Sequence, residues 1–126
     1  MISFEQFLME DGVPIYVQIV RYLKRGMIAG TIQTGDELPS RRMLSALLGV
    51  NPNTVQKACR MLEEEGLIES HAGAKSYAVV DEATVKRLKN ELLKEDVRTL
   101  VAALRQTGIS KEDALDLIGT MWEEEP

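Results

Sequence analysis

The sequence predicts a mainly helical fold that carries one small β-hairpin. Three observations lead there. Two segments with helical apolar spacing are joined only by Gly49, Val50 and Asn51. Two short strand-like runs follow, on either side of His71-Ala72-Gly73-Ala74-Lys75. Beyond Asp81, apolar residues recur at helical intervals through most of the remaining chain. Two helices joined by a short glycine-containing turn form a helix-turn-helix, and the hairpin behind it makes the winged variety. The predicted organisation is a winged helix-turn-helix domain over residues 1–80 and a two-helix dimerisation tail over residues 81–126.

The first twelve residues read as a leader. Ser3 with Gln6 resembles a capping box, which predicts a short helix from Phe4 to Glu10, ended by Asp11-Gly12. Pro14 to Ile28 is the first main helix. Pro14 suits a first turn, and Ile15, Ile19, Leu23 and Met27 make one apolar face with Val20 beside them. Gly30 stops it, and Thr34-Gly35-Asp36 is turn chemistry. Ser40 caps a second helix from Arg41 to Leu48, with Met43, Leu44, Leu47 and Leu48 expected to face inward. Asn51 caps the third helix and Pro52 occupies its first position, a sharp start signal. Val55, Ala58, Cys59 and Leu62 line its buried face, and Gly66 ends it. A strand begins at Leu67, residues 71–75 form a loop, and Ser76 to Val80 form a second strand. Asp81 to Gln106 reads as one long amphipathic helix, stopped by Gly108. Ser110 with Asp113 is a second capping-box candidate, opening a last helix with Leu115, Ile118 and Trp122 on one side.

Composition narrows the function. Of 126 residues, 44% are hydrophobic and 28% charged, as in ordinary globular chains. No apolar run approaches the roughly 18 residues of a membrane span, and the N-terminus lacks a signal-peptide pattern. The single cysteine, Cys59, rules out an internal disulfide and a zinc cluster. These features imply a cytoplasmic protein with no membrane association and no bound metal. No nucleophile–base pair, carboxylate dyad or phosphate-cradling glycine loop is legible. No catalytic residue, no cofactor and no enzymatic activity are therefore expected.

The net charge of −5 argues against a nucleic-acid partner, because phosphates are neutralised by Lys and Arg. Its distribution reverses that argument. Residues 1–80 carry 8 basic and 9 acidic side chains, whereas residues 81–126 carry 7 and 11. Arg41, Arg42, Lys57, Arg60 and Lys75 fall in the less acidic part. A local basic face on an acidic protein predicts modest, strongly salt-dependent affinity for DNA.

In a helix-turn-helix the start of the third helix reaches base edges in the major groove. Here it offers Asn51, Asn53, Thr54, Gln56 and Lys57. Asn and Gln suit bidentate contact with adenine, Lys donates to guanine or phosphate, and a Thr methyl meets a thymine methyl. The competing role for Asn51 and Thr54 is to cap and solvate the helix. Arg41 and Arg42 open the second helix, which crosses the DNA backbone in this geometry, so one or both are candidate phosphate clamps. At the wing tip Lys75 is a candidate minor-groove or phosphate contact, with Gly73 permitting close approach. Cys59 reads as a small core residue and His71 as a surface loop residue.

From Pro14 to Val80 the chain resembles the GntR family. The resemblance rests on "PIYVQIVRYLKRG", then "GDELPSRR", then "NPNTVQKACRMLEEEGLI", an ordered series of motifs across the whole winged-helix segment. The Asn-Pro-Asn-Thr-Val start and the short tail are similar to its YtrA-like branch. The resemblance implies a DNA-binding transcriptional regulator, expected to be a repressor, with Arg42 as the phosphate-contacting arginine. It places the family's recognition-helix arginines on Asn53 and Lys57 and the wing glycine on Gly73. Asn53 departs from the family pattern, and Lys75 replaces a second wing glycine.

The tail completes the reading. A helical pair of about 45 residues cannot bury a stable core alone, yet it carries Leu88, Leu92, Leu100, Leu104, Leu115, Ile118 and Trp122. Packing against a second copy would make a four-helix arrangement. A two-fold dimer also matches a palindromic double-stranded DNA operator. Two other readings are a protein-interaction module without DNA contact and a variant with a small-molecule effector near Trp122.

Overall fold

The computed structural model describes residues 1–71 and 75–124. The chain divides into two compact units, Met1–Asn90 and Glu91–Pro126. In the first unit α1 spans Ile15–Ala29, α2 Arg41–Leu48 and α3 Pro52–Glu64. The strands β1 (Ile68–His71) and β2 (Lys75–Ala78) follow, then α4 (Glu82–Leu88). A π-helical segment, Lys89–Leu93, precedes α5 (Lys94–Arg105) and α6 (Lys111–Glu124). The architecture is a winged helix-turn-helix with C-terminal helices, as the sequence predicts.

The first unit closes around one core. Ile19, Leu23 and Met27 of α1 meet Leu44 of α2, and Val55, Ala58, Cys59 and Leu62 of α3. Leu67, Ile68 and Ala78 bring the hairpin onto it. Each large aliphatic side chain buried this way contributes about 1.5–3 kcal/mol. Glu65, just past α3, pairs with Lys24 of α1 at 3.0 Å and lies 3.9 Å from Arg87 of α4.

The helix starts follow the expected caps. Ser40 Oγ accepts from Met43 N at 3.1 Å, and Asn51 Oδ1 accepts from Asn53 N at 2.8 Å. The turn between α2 and α3 needs a left-handed residue, which Gly49 supplies at φ 65°. Ser45 closes that turn by donating Oγ–H to Val50 O at 2.6 Å.

The hairpin is antiparallel, with Ile68 opposite Ala78 and His71 opposite Lys75. Residues 35–38 run along the other side of β2. Ala78 N donates to Asp36 O and Leu38 N to Ser76 O, both at 2.9 Å, about a bridge between Glu37 and Tyr77. Thr34 Oγ1 donates to Val80 O at 2.6 Å and accepts from Val80 N at 2.7 Å. β2 ends at Ala78 rather than at the expected Val80, because the same register would set Val80 opposite Gly66, which is in the left-handed turn after α3 at φ 74°. His71 and Lys75, expected in the loop, pair within the ladder.

Three other expectations are corrected. Residues 4–10 form no helix but a single turn, in which Phe7 N donates to Phe4 O at 3.0 Å. The rings of Phe4 and Phe7 pack on Tyr22, 5.0 and 5.3 Å away by centroid, and this contact displaces helical spacing. Met43 and Leu47 are not inward but 46% and 64% exposed. An eight-residue helix meets the core along one line, and Leu44 and Ser45 occupy it. Leu88, expected on a dimer face, is only 1% exposed and belongs to the core of the first unit. Leu92, expected beside it, is also buried.

In the second unit α5 and α6 bury no residue. Leu100, Leu115 and Trp122 are exposed, and Leu104 and Ile118 are half-buried. An apolar groove between the two helices is lined by Val101, Leu104, Ile109, Ala114, Leu115 and Ile118.

Candidate nucleic-acid interface

The expected reading residues lie at the start of α3, where the Asn51 cap fixes the direction in which the helix enters its first turn. Val55, Ala58 and Cys59 point into the core, which leaves Asn53 and Lys57 exposed and Thr54 and Gln56 half-buried. The Asn51 side chain is engaged as the cap, so its oxygen serves the helix.

Lys57 is held. Its Nζ lies 4.1 Å from the ring centroid of Tyr16, on α1, which places a cation on an aromatic face. Arg42 is exposed and makes no hydrogen bond or ion pair among the described residues. Lys75 is exposed at the start of β2. Gly73, the expected wing glycine, lies outside the described residues.

Arg41 departs from the expectation of a phosphate clamp. Nη1 donates to Gln56 Oε1 and Nη2 to Glu63 Oε1, each at 2.7 Å. Its Nε is buried without a hydrogen-bond partner among the described residues. The arginine lies beside Cys59, whose thiol is pushed up from its ordinary value by burial, against the hydrogen bond and charge of Arg41. A raised pKa keeps Cys59 protonated and unreactive, which suits a core residue.

Sequence reasoning missed three residues that shape this face. Tyr16 sits one helix away from the lysine it supports. Glu63 lies near the end of α3, and nothing local signals that Arg41 would reach it across 22 positions. Ser45 was legible in principle, as a short polar side chain one turn before a glycine.

Residues 15–77 match the family described as bacterial regulatory proteins, gntR family. The chain belongs to the GntR family. This GntR chain is 36% identical to the HTH-type transcriptional repressor YtrA of Bacillus subtilis (strain 168), over 81% of its own length and 79% of that protein. It is 31% identical to the HTH-type transcriptional regulator YhcF of the same organism, over 90% and 94% of the two chains. A GntR family transcriptional regulator from Listeria monocytogenes superposes with a TM-score of 0.73 at 33% identity, over 89% of this chain and 98% of that one. AraR(DBD), solved in complex with operator ORX1, superposes with a TM-score of 0.50 at 26% identity, over 57% of this chain and 87% of that one. This GntR protein is thus an HTH-type transcriptional regulator. Among its described residues no helix is long and apolar enough to cross a membrane, and no group of three metal-ligating side chains forms.

Proposed function

We propose that this GntR regulator is a cytoplasmic repressor that binds a palindromic DNA operator as a homodimer. The observation that carries the reading is the outward face at the start of α3, where exposed Asn53 and Lys57 stand on a capped, core-anchored helix. Such a helix start is placed to meet base edges in the major groove. The AraR(DBD) likeness, solved with an operator, supports it. Arg42, at the start of α2, is left to meet a phosphate.

The homodimer reading rests on the second unit. Helices α5 and α6 bury nothing of their own and expose Leu100, Leu115 and Trp122. A second copy offers the same apolar surface and would cover both.

Selection of bound duplexes from a random pool, followed by titration across a salt series, tests the reading. The expected result is an enriched inverted repeat bound at two protomers per duplex. Arg42→Ala should weaken binding to all sequences alike and lower the salt slope by about one unit. No enriched sequence, or a monomer by light scattering at micromolar protein, would overturn it.

A further inference from the structure

The side-chain amide of Gln56 cannot choose which atom it turns outward. Arg41 Nη1 lies 2.7 Å from it. A guanidinium carries donors only, so the atom it meets is the amide oxygen. The arginine is itself anchored, because Nη2 donates to Glu63 Oε1 at 2.7 Å. That carboxylate oxygen also accepts from Ser70 Oγ at 2.5 Å, and Ser70 Oγ lies 3.2 Å from Ser76 Oγ. One polar chain thus runs from both strands of the hairpin through α3 and α2 and ends at Gln56.

Bidentate recognition of adenine asks a glutamine to accept from N6 while donating to N7. With Oε1 held by Arg41, Gln56 has its Nε2 donors to offer. Guanine presents O6 and N7, two acceptors side by side. We infer that Arg41 is a positioning residue that turns the Gln56 amide oxygen toward α2 and leaves its Nε2 donors to face the bases, selecting guanine over adenine at one position of each half-site. The inference rests on the proposed entry of α3 into the major groove. It removes Arg41 from the phosphate contacts and leaves Arg42 there.

Selection from random duplexes with full-length wild type, Gln56→Ala, Gln56→Glu and Arg41→Met tests it. Gln56→Ala should flatten the preference at a single position and so identify it. At that position the wild type should favour guanine over adenine by about tenfold, the scale of one good base contact. Arg41→Met frees the amide to rotate, so adenine should rise to at least parity there with the salt slope unchanged. Gln56→Glu keeps a partner for Arg41 but replaces the donors by an acceptor, and should move the preference to cytosine. That variant decides the matter if Arg41→Met fails to fold. Adenine preferred by the wild type, a preference indifferent to Gln56, or guanine retained by Gln56→Glu each overturns the inference while leaving DNA binding intact. So does a salt slope that falls by about one unit in Arg41→Met, the mark of a phosphate clamp. A wild type that enriches no sequence overturns the DNA reading itself, and this inference with it.

Discussion

Lys57 Nζ rests 4.1 Å from the centroid of the Tyr16 ring, so a cation on α3, the proposed reading helix, is steadied by the first helix of the domain. An ammonium over an aromatic face at an exposed site gains about 0.5–1 kcal/mol. It also loses rotamer freedom before any DNA arrives, which lowers the ordering cost of binding.

Lys57→Ala should therefore weaken operator binding by about 1–3 kcal/mol and relax preference at one position. Tyr16→Leu should weaken it less, and Tyr16→Phe should keep wild-type affinity, since the ring face is what matters. Fluorescence anisotropy on operator and random duplexes checks this. An equal loss on both DNAs for Lys57→Ala would reduce its role to a phosphate contact.

Gln18 tests how the leader is fastened. Its amide accepts from Glu10 N at 2.9 Å and donates to Glu10 O at 3.0 Å and Val13 O at 2.7 Å. Gln18→Leu removes all three bonds and leaves these backbone groups without their partner. A loss of about 1–3 kcal/mol is expected in urea unfolding, with faster proteolysis before Pro14. Unchanged stability would mean that the Phe4, Phe7 and Tyr22 rings hold the leader by themselves.

Leu88 and Leu100 should separate folding from association. Leu88 is buried in the first unit's core, so Leu88→Ala should cost about 2–5 kcal/mol of unfolding free energy. Leu100 is 44% exposed, so Leu100→Ala combined with Trp122→Ala should weaken self-association and leave the first unit's stability nearly unchanged. Denaturant melts and light scattering read the two effects. A truncation after Val80 loses Leu88 and should be unstable, whereas one after Asn90 keeps it.

Asp81 supplies a pH signature. Its carboxylate accepts from Thr84 N at 2.7 Å, and the Thr84 hydrogen bonds hold its pKa below the ordinary carboxylate value. A folded pKa below the unfolded one gives stability that is present above the unfolded value, about 3.9, and lost as pH falls through the folded value. Asp81→Ala should lower the melting temperature at neutral pH, and the difference from wild type should shrink below about pH 4. A difference that stays constant with pH would show that the charge contributes nothing to the cap.

Much of this architecture was legible because its signals are local. Ser40, Asn51 with Pro52, and the apolar faces of α1 and α3 each reveal themselves within a few residues, and they locate the helix-turn-helix. What was hidden depends on distant partners. The phenylalanines at 4 and 7 pack on Tyr22 instead of obeying a capping box. The periodicity of α4 marks Leu88 as buried without saying which core buries it. The candidate site divided in the same way. Residue types at the start of α3 announced a reading helix, but the contacts of Arg41 with Gln56 and Glu63 cross 15 and 22 positions. Those contacts change what two of its side chains can do.

The pairing of residues 35–38 with β2 has a consequence for the life of the unbound protein. A two-stranded hairpin presents open backbone donors and acceptors along both sides, a template on which other chains can aggregate. Here one side of β2 is already taken by residues 35–38, and Thr34 closes the end of that seam onto Val80 across 46 positions. Such closure is slow to form, since the intervening chain must first be ordered. The nascent protein is therefore most prone to cross-chain strand pairing just before this seam shuts, and substitutions at Thr34 should appear as lower soluble yield before they appear as lower affinity.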